Sequence, residues 1–381
     1  MSGPGAPSDK RGVPTALGAR LAARIARFGP ITMADYMAEA LTHPRHGYYM
    51  HGDPLGTGGD FITAPEVSQM FGELIGLWCA EVWQRLGAPD PVLLVELGPG
   101  RGTLMADALR AARTLPDFHH AIRPHIVEVS PALRRRQADT LRSHTDNPVP
   151  VWHDSLAEVP EGPILLVANE FFDALPIRQF ARTTAGWCER LVALGADNRS
   201  LILTLSPPSP QAEILLPPAL RAAPPGAIGE VSPAAIGVAA EIGRRLVTRG
   251  GAALIIDYGD TRPPGEPTLQ AVRDHARHDM LAEPGSADLT AHVDFAALAR
   301  AASDAGATSH GPVTQGIFLH ALGLDARAET LRRSASPAQI TEIDAAAHRL
   351  TDPAEMGALF KVLALSRPDL GALPGFPYHP D

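Results

Sequence analysis

The 381-residue sequence predicts an α/β fold built on a mostly parallel, Rossmann-like sheet. Three observations carry that expectation. From residue 91 onward, short apolar segments alternate with amphipathic ones of helical period; the first apolar segment runs into a glycine-rich loop; and acidic residues stand at the ends of the segments that follow. Parallel strands need a crossover of a dozen or more residues, usually a helix, and the spacing here provides it.

Residues 1–15 are small, polar and rich in Pro and Gly, which predicts a disordered N-terminus. Leu17, Leu21, Ile25 and Phe28 recur at helical spacing and predict an amphipathic first helix. Residues 10–28 are also Arg-rich and acid-poor, as in a mitochondrial transit peptide, but they run straight into an ordered-looking segment, which favours the helix. Residues 16–90 read as helices (L-A-A-R-I-A-R-F, M-A-D-Y-M-A-E-A-L and V-S-Q-M-F-G-E-L-I-G-L-W-C-A-E-V-W-Q-R-L), interrupted at 53–65 by a run of breakers. P-V-L-L-V-E-L then pairs with the helical T-L-M-A-D-A-L-R-A-A-R, and P-H-I-V-E-V with P-A-L-R-R-R-Q-A-D-T-L; V-P-V-W-H and G-P-I-L-L-V-A-N-E-F-F follow as strands. Residues 177–205 alternate around a turn at Ala185-Gly186, an antiparallel excursion within an insertion spanning about 177–250. The proline-rich stretches 207–225 and 260–268 read as loops. The sheet resumes at G-A-A-L-I-I-D-Y, residues 251–258, and closes with strands near 307–314 and 358–366.

Composition narrows the function classes. With 45% hydrophobic and 20% charged residues this is an ordinary globular chain, long enough to bury a core without staples. The formal charge of −9 argues against a nucleic-acid partner, because phosphate contacts need clustered Lys and Arg. No apolar run approaches the roughly 20 residues of a membrane span. Cys79 and Cys188 are far apart and outside any C-x-x-C pattern, so no disulfide framework or metal centre is expected and a cytoplasmic location is the simplest reading, mitochondrial in a eukaryote.

The stretch V-E-L-G-P-G-R-G, residues 95–102, carries the most chemistry. A helix N-terminus offers unpaired N–H groups, and glycines let a ligand approach the backbone. A phosphate-binding Walker loop needs a Lys that is missing here. A dinucleotide fingerprint needs G-x-G-x-x-G, whereas Gly98, Gly100 and Gly102 are spaced G-x-G-x-G, with Thr103 at the last glycine's place. The remaining ligand-binding reading is a methyltransferase loop, preceded by an acid that Glu96 supplies; a plain strand-to-helix turn is the structural alternative.

Glu128, with Val129 beside it, closes the second strand where an acceptor for ribose hydroxyls would sit. Asp154 and Ser155 close the third, placed to accept from an adenine amino group. A carboxylate beside the loop favours a cationic sulfonium and ammonium over a pyrophosphate, so Glu96 selects S-adenosyl-L-methionine over NAD.

Beyond these spacings, the chain resembles the MidA-like family of class I methyltransferases, which includes a mitochondrial complex I assembly arginine methyltransferase. Y-M-A-E-A-L-T-H-P-R-H-G-Y-Y (36–49) and G-D-F-I-T-A-P-E-V-S-Q-M-F-G-E-L-I-G-L-W (59–78) are specific to that family; A-N-E-F-F-D-A-L-P-I (168–177), I-I-D-Y-G (255–259), T-A-H-V-D-F (290–295), T-Q-G-I-F-L (314–319) and M-G-A-L-F-K-V-L-A-L (356–365) extend the match over nearly the whole chain. The resemblance implies a seven-stranded sheet, an N-terminal helical lid over residues 16–90, a methyltransferase domain over 91–381 with an inserted substrate region, and a protein arginine, on a complex I subunit in the mitochondrial relative, as methyl acceptor. Methylation of a small molecule or peptide, and a non-catalytic assembly factor, are the alternatives. One departure is Val272, where an aromatic is expected.

An arginine acceptor needs carboxylates to orient its guanidinium. Asn169, Glu170 and Asp173 follow the fourth strand, where open α/β sheets bind ligands. Glu170 and Asp173, three apart, suit either one face of a helical turn above the acceptor or the acidic first turn of a capped helix. Asn169 also suits the cofactor. His292 is a candidate acid or base, with Asp294 a natural helix cap; Asp60, Thr63 and Glu66 suit a closing segment over the cofactor, although Thr63 and Glu66 also fit a capping box. His43, His46, Tyr48 and Tyr49 are candidates to shape the acceptor channel or simply to pack.

Overall fold

A computed structural model describes residues 15–50, 63–142, 149–262 and 265–377. The expected alternation is present. We label the strands of the main sheet β1 (Val92–Leu97), β2 (Ile122–Val127), β3 (Val151–His153), β4 (Ile164–Asn169), β5 (Gly251–Asp260), β6 (Thr308–Thr314) and β7 (Phe360–Ser366). Their order is β6-β7-β5-β4-β1-β2-β3, and a two-residue strand, Val293–Asp294, pairs parallel to the end of β5 as an eighth member. All pairings from β5 through β3 are parallel, while β7 runs antiparallel to both β5 and β6. The strand order reverses between β1 and β4, the switch point at which open α/β sheets place a ligand crevice beyond the C-terminal ends of their strands.

Burial explains why β1, β4 and most of β5 are continuous apolar runs: all six residues of β1 and of β4 are buried. One face is covered by Gln69–Arg85 and Thr103–Ala112, which pack so closely that a Cβ on Gly76 would lie 2.7 Å from Ala108 Cα. The helix Gln69–Arg85, which falls in the N-terminal helical region by sequence, is thus built into the sheet's core through Phe71, Ile75, Trp78 and Val82. Across this face Glu73 is buried and pairs with Arg110 and, at 2.7 Å, with Arg327. Pro233–Arg249 and Phe295–Asp304 cover the other face.

The helix Ala16–Phe28 buries Leu17, Leu21 and Ile25, but Phe28 is 75% exposed with the Arg27 guanidinium over its ring; it lies past the last buried turn, where helical spacing no longer implies a partner. This helix and Met33–Thr42 pack on the inserted sheet. That sheet holds Arg178–Thr183, Gly186–Leu194 and Leu201–Leu205, as expected, together with Ile31–Thr32 and an unforeseen strand Ile228–Val231. A third sheet of Ala276–His278, Gln270–Arg273 and Asp288–Thr290 was also not foreseen. Strands of three or four residues are too short for alternation to register. Two short helices, Pro210–Leu215 and Pro218–Arg221, occupy part of the stretch read as a proline-rich loop, each with Pro in its first turn, where proline costs no hydrogen bond. Among the described residues, no helix is long and apolar enough to cross a membrane. Cys79 and Cys188 are both free and buried.

Candidate active site

The crevice at the C-terminal ends of β1 to β4 is a cavity of about 370 Å³. Glu96, Gly98, Gly100, Glu128, Val129, Asp154, Ser155, Asn169, Glu170 and Thr63 all line it, so most of the site residues expected from the sequence converge on one space. Gly102 stands just outside, as the left-handed N-cap of Thr103–Ala112. Gly98 and Gly100 also have positive φ, at 57° and 53°, which explains the glycines. A Cβ at Gly98 would come within 2.9 Å of the Phe171 ring, so the loops after β1 and β4 meet in contact.

Glu96 stands one residue before the end of β1 with its carboxyl buried, and burial raises its pKa to about 8. Its Oε2 has no hydrogen-bond partner, and neither does Oδ1 of Asn169. Two buried acceptor oxygens left open on one cavity wall suit a ligand that brings positive charge and N–H donors. Glu128 is held differently: the Ser130 N–H donates to its Oε1 at 2.8 Å, and Arg134 Nε donates to its backbone oxygen at 2.7 Å. Arg134 then reaches the side chain of Asp154 at 2.5 Å, linking the ends of β2 and β3.

The chain after β4 brings an acidic cluster to the same cavity. Glu170 lies at the cavity with φ +50°, and burial first, then the Asp173 charge, raises its pKa to about 8. Its Oε1 accepts from the Ala64 N–H at 3.1 Å and from Asn169 Nδ2 at 3.2 Å. Asp173 is buried behind it, raised to about 6 by burial. Both expectations for this acidic pair, a helical turn or a helix cap, are corrected: residues 170–177 form bends and turns and lead into a strand. Asp257 on β5 holds this turn, accepting from the N–H groups of Phe172 and Asp173 at 3.0 and 3.2 Å, and Pro176 bars a helix beyond. Tyr49 also lines the cavity and donates to Asp288 at 2.7 Å. Sequence reasoning missed Asp257 and Asp288; an acid late in the apolar fifth strand was a signal for the first, while nothing local marked the second.

Several other expectations resolve differently. Thr63 precedes the short helix Ala64–Val67 but makes no capping bond, and Glu66 turns instead to the glycine loop, accepting from the Thr103 hydroxyl and pairing with Arg101 at 3.7 Å. A four-residue helix with Pro in its first turn offers a capping box few N–H groups to satisfy. Asp60 lies outside the described residues. Asp294 caps Phe295–Asp304 as expected, accepting from the Ala297 N–H at 2.9 Å. His292 does not reach the cofactor cavity; it lines a separate cavity of about 300 Å³, and burial lowers its pKa. Tyr48 is buried, and His43 stacks on His46 with ring centroids 5.0 Å apart.

Comparison with known proteins agrees with this geometry. The profile of a family described as S-adenosyl-L-methionine-dependent methyltransferase matches residues 74–313. The mitochondrial protein arginine methyltransferase NDUFAF7 of Danio rerio is 38% identical, the match covering 91% of this chain and 85% of the relative. Its Homo sapiens counterpart is 38% identical over 90% and 81%. A crystal structure from Burkholderia thailandensis with S-adenosyl-homocysteine bound is 33% identical, with a TM-score of 0.83 and 94% of each chain covered. The expected cytoplasmic location finds no support in the NDUFAF7 relatives, whose names are mitochondrial. Motifs, fold and site together assign the chain to the MidA-like family of S-adenosyl-L-methionine-dependent methyltransferases.

Proposed function

We propose that the chain methylates a guanidinium nitrogen of a protein arginine, with the acceptor held against Glu170 and the cofactor against the glycine loop in one shared cavity. The observation that carries this reading is the acidic cluster: Glu170 faces the cavity with Asp173, Asp257 and Asp288 close behind. So many carboxyl groups packed together suit a cationic acceptor and would repel an anionic one. The NDUFAF7 relatives carry the name protein arginine methyltransferase, which supports the same acceptor class.

S-adenosyl-L-methionine supplies an electrophilic methyl group, and the remaining work falls to the chain. Glu96 and Asn169 hold the cationic amino acid end, Glu128 accepts from the ribose hydroxyls, and Asp154 with Ser155 faces the adenine edge. Glu170, protonated near neutral pH while the cavity lacks a cation, ionises as the guanidinium arrives and orients it through charge-assisted hydrogen bonds. Methyl transfer forms an N–C bond, returns the S–C bond pair to sulfur and leaves one proton on nitrogen for Glu170 to accept. Residues 16–50 and 63–68, whose Leu41, Tyr49, Thr63 and Glu66 line the cavity, act as a lid that excludes water, while residues 69–90 belong with the methyltransferase domain. The second cavity and His292 are assigned no step.

The test is incubation with methyl-labelled S-adenosyl-L-methionine and an extract of cells lacking this protein, followed by hydrolysis of the labelled protein to amino acids. Label in methylarginine supports the reading. Label confined to another residue, or to small molecules, overturns it.

A further inference from the structure

Gln137 lies on the helix Pro131–Leu141, fully buried, and lines neither cavity. Its amide nevertheless joins three parts of the cofactor site. Nε2 donates to the carbonyl oxygen of Gly100 at 2.9 Å and to Oε2 of Glu128 at 3.1 Å, while Oε1 accepts from the Trp152 indole N–H at 2.9 Å. An indole nitrogen only donates, so Trp152 fixes the amide's orientation: the oxygen must face β3, and the two N–H groups must face the glycine loop and Glu128. The backbone is close as well, since a Cβ on Gly102 would sit 3.5 Å from Gln137 Cα.

We propose that Gln137 is the positioning residue that sets Glu128 for the ribose and locks it to the glycine loop. This rests on the assignment of Glu128 to the ribose made above. Ser130 N–H donates to Oε1 of Glu128 and Gln137 to Oε2, so a protein donor fixes each oxygen and the carboxylate keeps acceptor capacity for a hydroxyl of a vicinal diol. The same two bonds oppose the burial that raises the Glu128 pKa, with Val129 N–H and the Arg134 charge adding to them. Ionisable groups around this junction include Asp154, paired with Arg134, Glu158, which accepts from the Asp154 N–H, and the His153–His125 pair, both histidines lowered by burial. Because one amide also holds the Gly100 carbonyl, the ribose acceptor and the loop for the amino acid end move as one unit.

Calorimetric titration with S-adenosyl-homocysteine between pH 6 and 8.5 tests this on the parent, Glu128→Gln, Gln137→Met and Gln137→Glu, each checked for a ligand-free melting temperature near the parent's. Glu128→Gln, expected to bind at least tenfold more weakly, tests the underlying ribose reading. Gln137→Met keeps the volume and loses every donor, and is expected to weaken binding roughly tenfold. Gln137→Glu distinguishes positioning from packing. At pH 6 it shares a proton with Glu128 and still donates; as pH rises that proton is lost and two carboxylates face each other. The ratio of its Kd to the parent's is therefore expected to grow with pH. Parent-like binding by both Gln137 variants with weak binding by Glu128→Gln overturns the inference and leaves the ribose reading standing. Parent-like binding by Glu128→Gln overturns both. If Gln137→Met fails to fold, the Gln137→Glu ratio decides alone: growth with pH supports the inference and a flat ratio overturns it.

Discussion

The backbone N–H of Ala64 donates to Oε1 of Glu170 at 3.1 Å, across 106 positions of sequence. Two residues further on, Glu66 accepts from Thr103 at the start of the glycine-loop helix. A single turn of chain therefore touches the buried Glu170 carboxyl on one side and the start of the helix after the glycine loop on the other.

Removing that donor gives the first prediction. Thr63 already has φ −80° and ψ 161°, which suits a residue before proline, so Ala64→Pro deletes the N–H at little backbone cost. The Ala64 bond holds the Glu170 pKa down against burial and Asp173. Its loss is expected to move the alkaline-going rise of methyl transfer to higher pH, with cofactor affinity within about twofold of the parent. An unshifted pH–rate profile would remove Ala64 from the acceptor site.

Glu96 predicts a pH dependence of the protein without ligand. Its folded pKa, about 8, lies above the ordinary carboxylate range because the group is buried. A raised carboxyl pKa favours folding while the group is protonated, and that contribution is lost as pH climbs from the unfolded pKa through about 8, by at most roughly 1.4 kcal/mol per pH unit. The melting temperature is therefore expected to fall between pH 6 and 8.5, and less steeply in Glu96→Gln. Affinity for S-adenosyl-L-methionine should run the other way, rising with pH as the carboxylate forms. Melting curves and titrations at several pH values check both, and parallel behaviour of the two proteins would contradict the buried charge.

A pair of glycines tests the packing. Gly76→Ala places a methyl 2.7 Å from Ala108 Cα, between two helices that cannot part without opening the core, and is expected to destabilise by about 1–3 kcal/mol. Gly237 lies in the helix Pro233–Arg249 with open space around it, so Gly237→Ala is expected to be neutral or to stabilise by up to about 1 kcal/mol. Chemical denaturation of the two variants would show the difference directly.

His292 lines the second cavity, and its backbone N–H donates to Thr268 Oγ1 at 2.9 Å. His292→Ala is expected to keep cofactor affinity and most of the transfer rate. A drop in rate of a hundredfold or more would return this side chain to the chemistry.

The parallel sheet was legible because β1, β4 and β5 are buried on both faces and so read as apolar runs between helical patterns. The convergence of Glu96, Gly98, Gly100, Glu128 and Asp154 on one cavity was legible for a related reason: each stands at or just past the end of a strand, and the ends of parallel strands converge. The acidic residues proposed for the acceptor were legible only as residues. Glu170 and Asp173 were named, but the turn that presents them is held by Asp257, more than 80 positions away, and local spacing suggested a helix instead. Short strands such as Ile228–Val231 and Asp288–Thr290 carry too few residues to show a period, and so Asp288 went unseen. Gln137 is polar in a helix full of arginines, and only its burial against Gly100 and Trp152 sets it apart.

The measurement that bears most directly on the account is a paired one on Glu96→Gln and Glu170→Gln: affinity for S-adenosyl-L-methionine and single-turnover methyl transfer to the same labelled protein extract. The account predicts weakened cofactor binding in the first, and parent-like binding with transfer reduced about a hundredfold or more in the second. Transfer at the parent rate by Glu170→Gln, or loss of cofactor binding in that variant, would contradict the division of the cavity into a cofactor side at β1 and an acceptor side after β4.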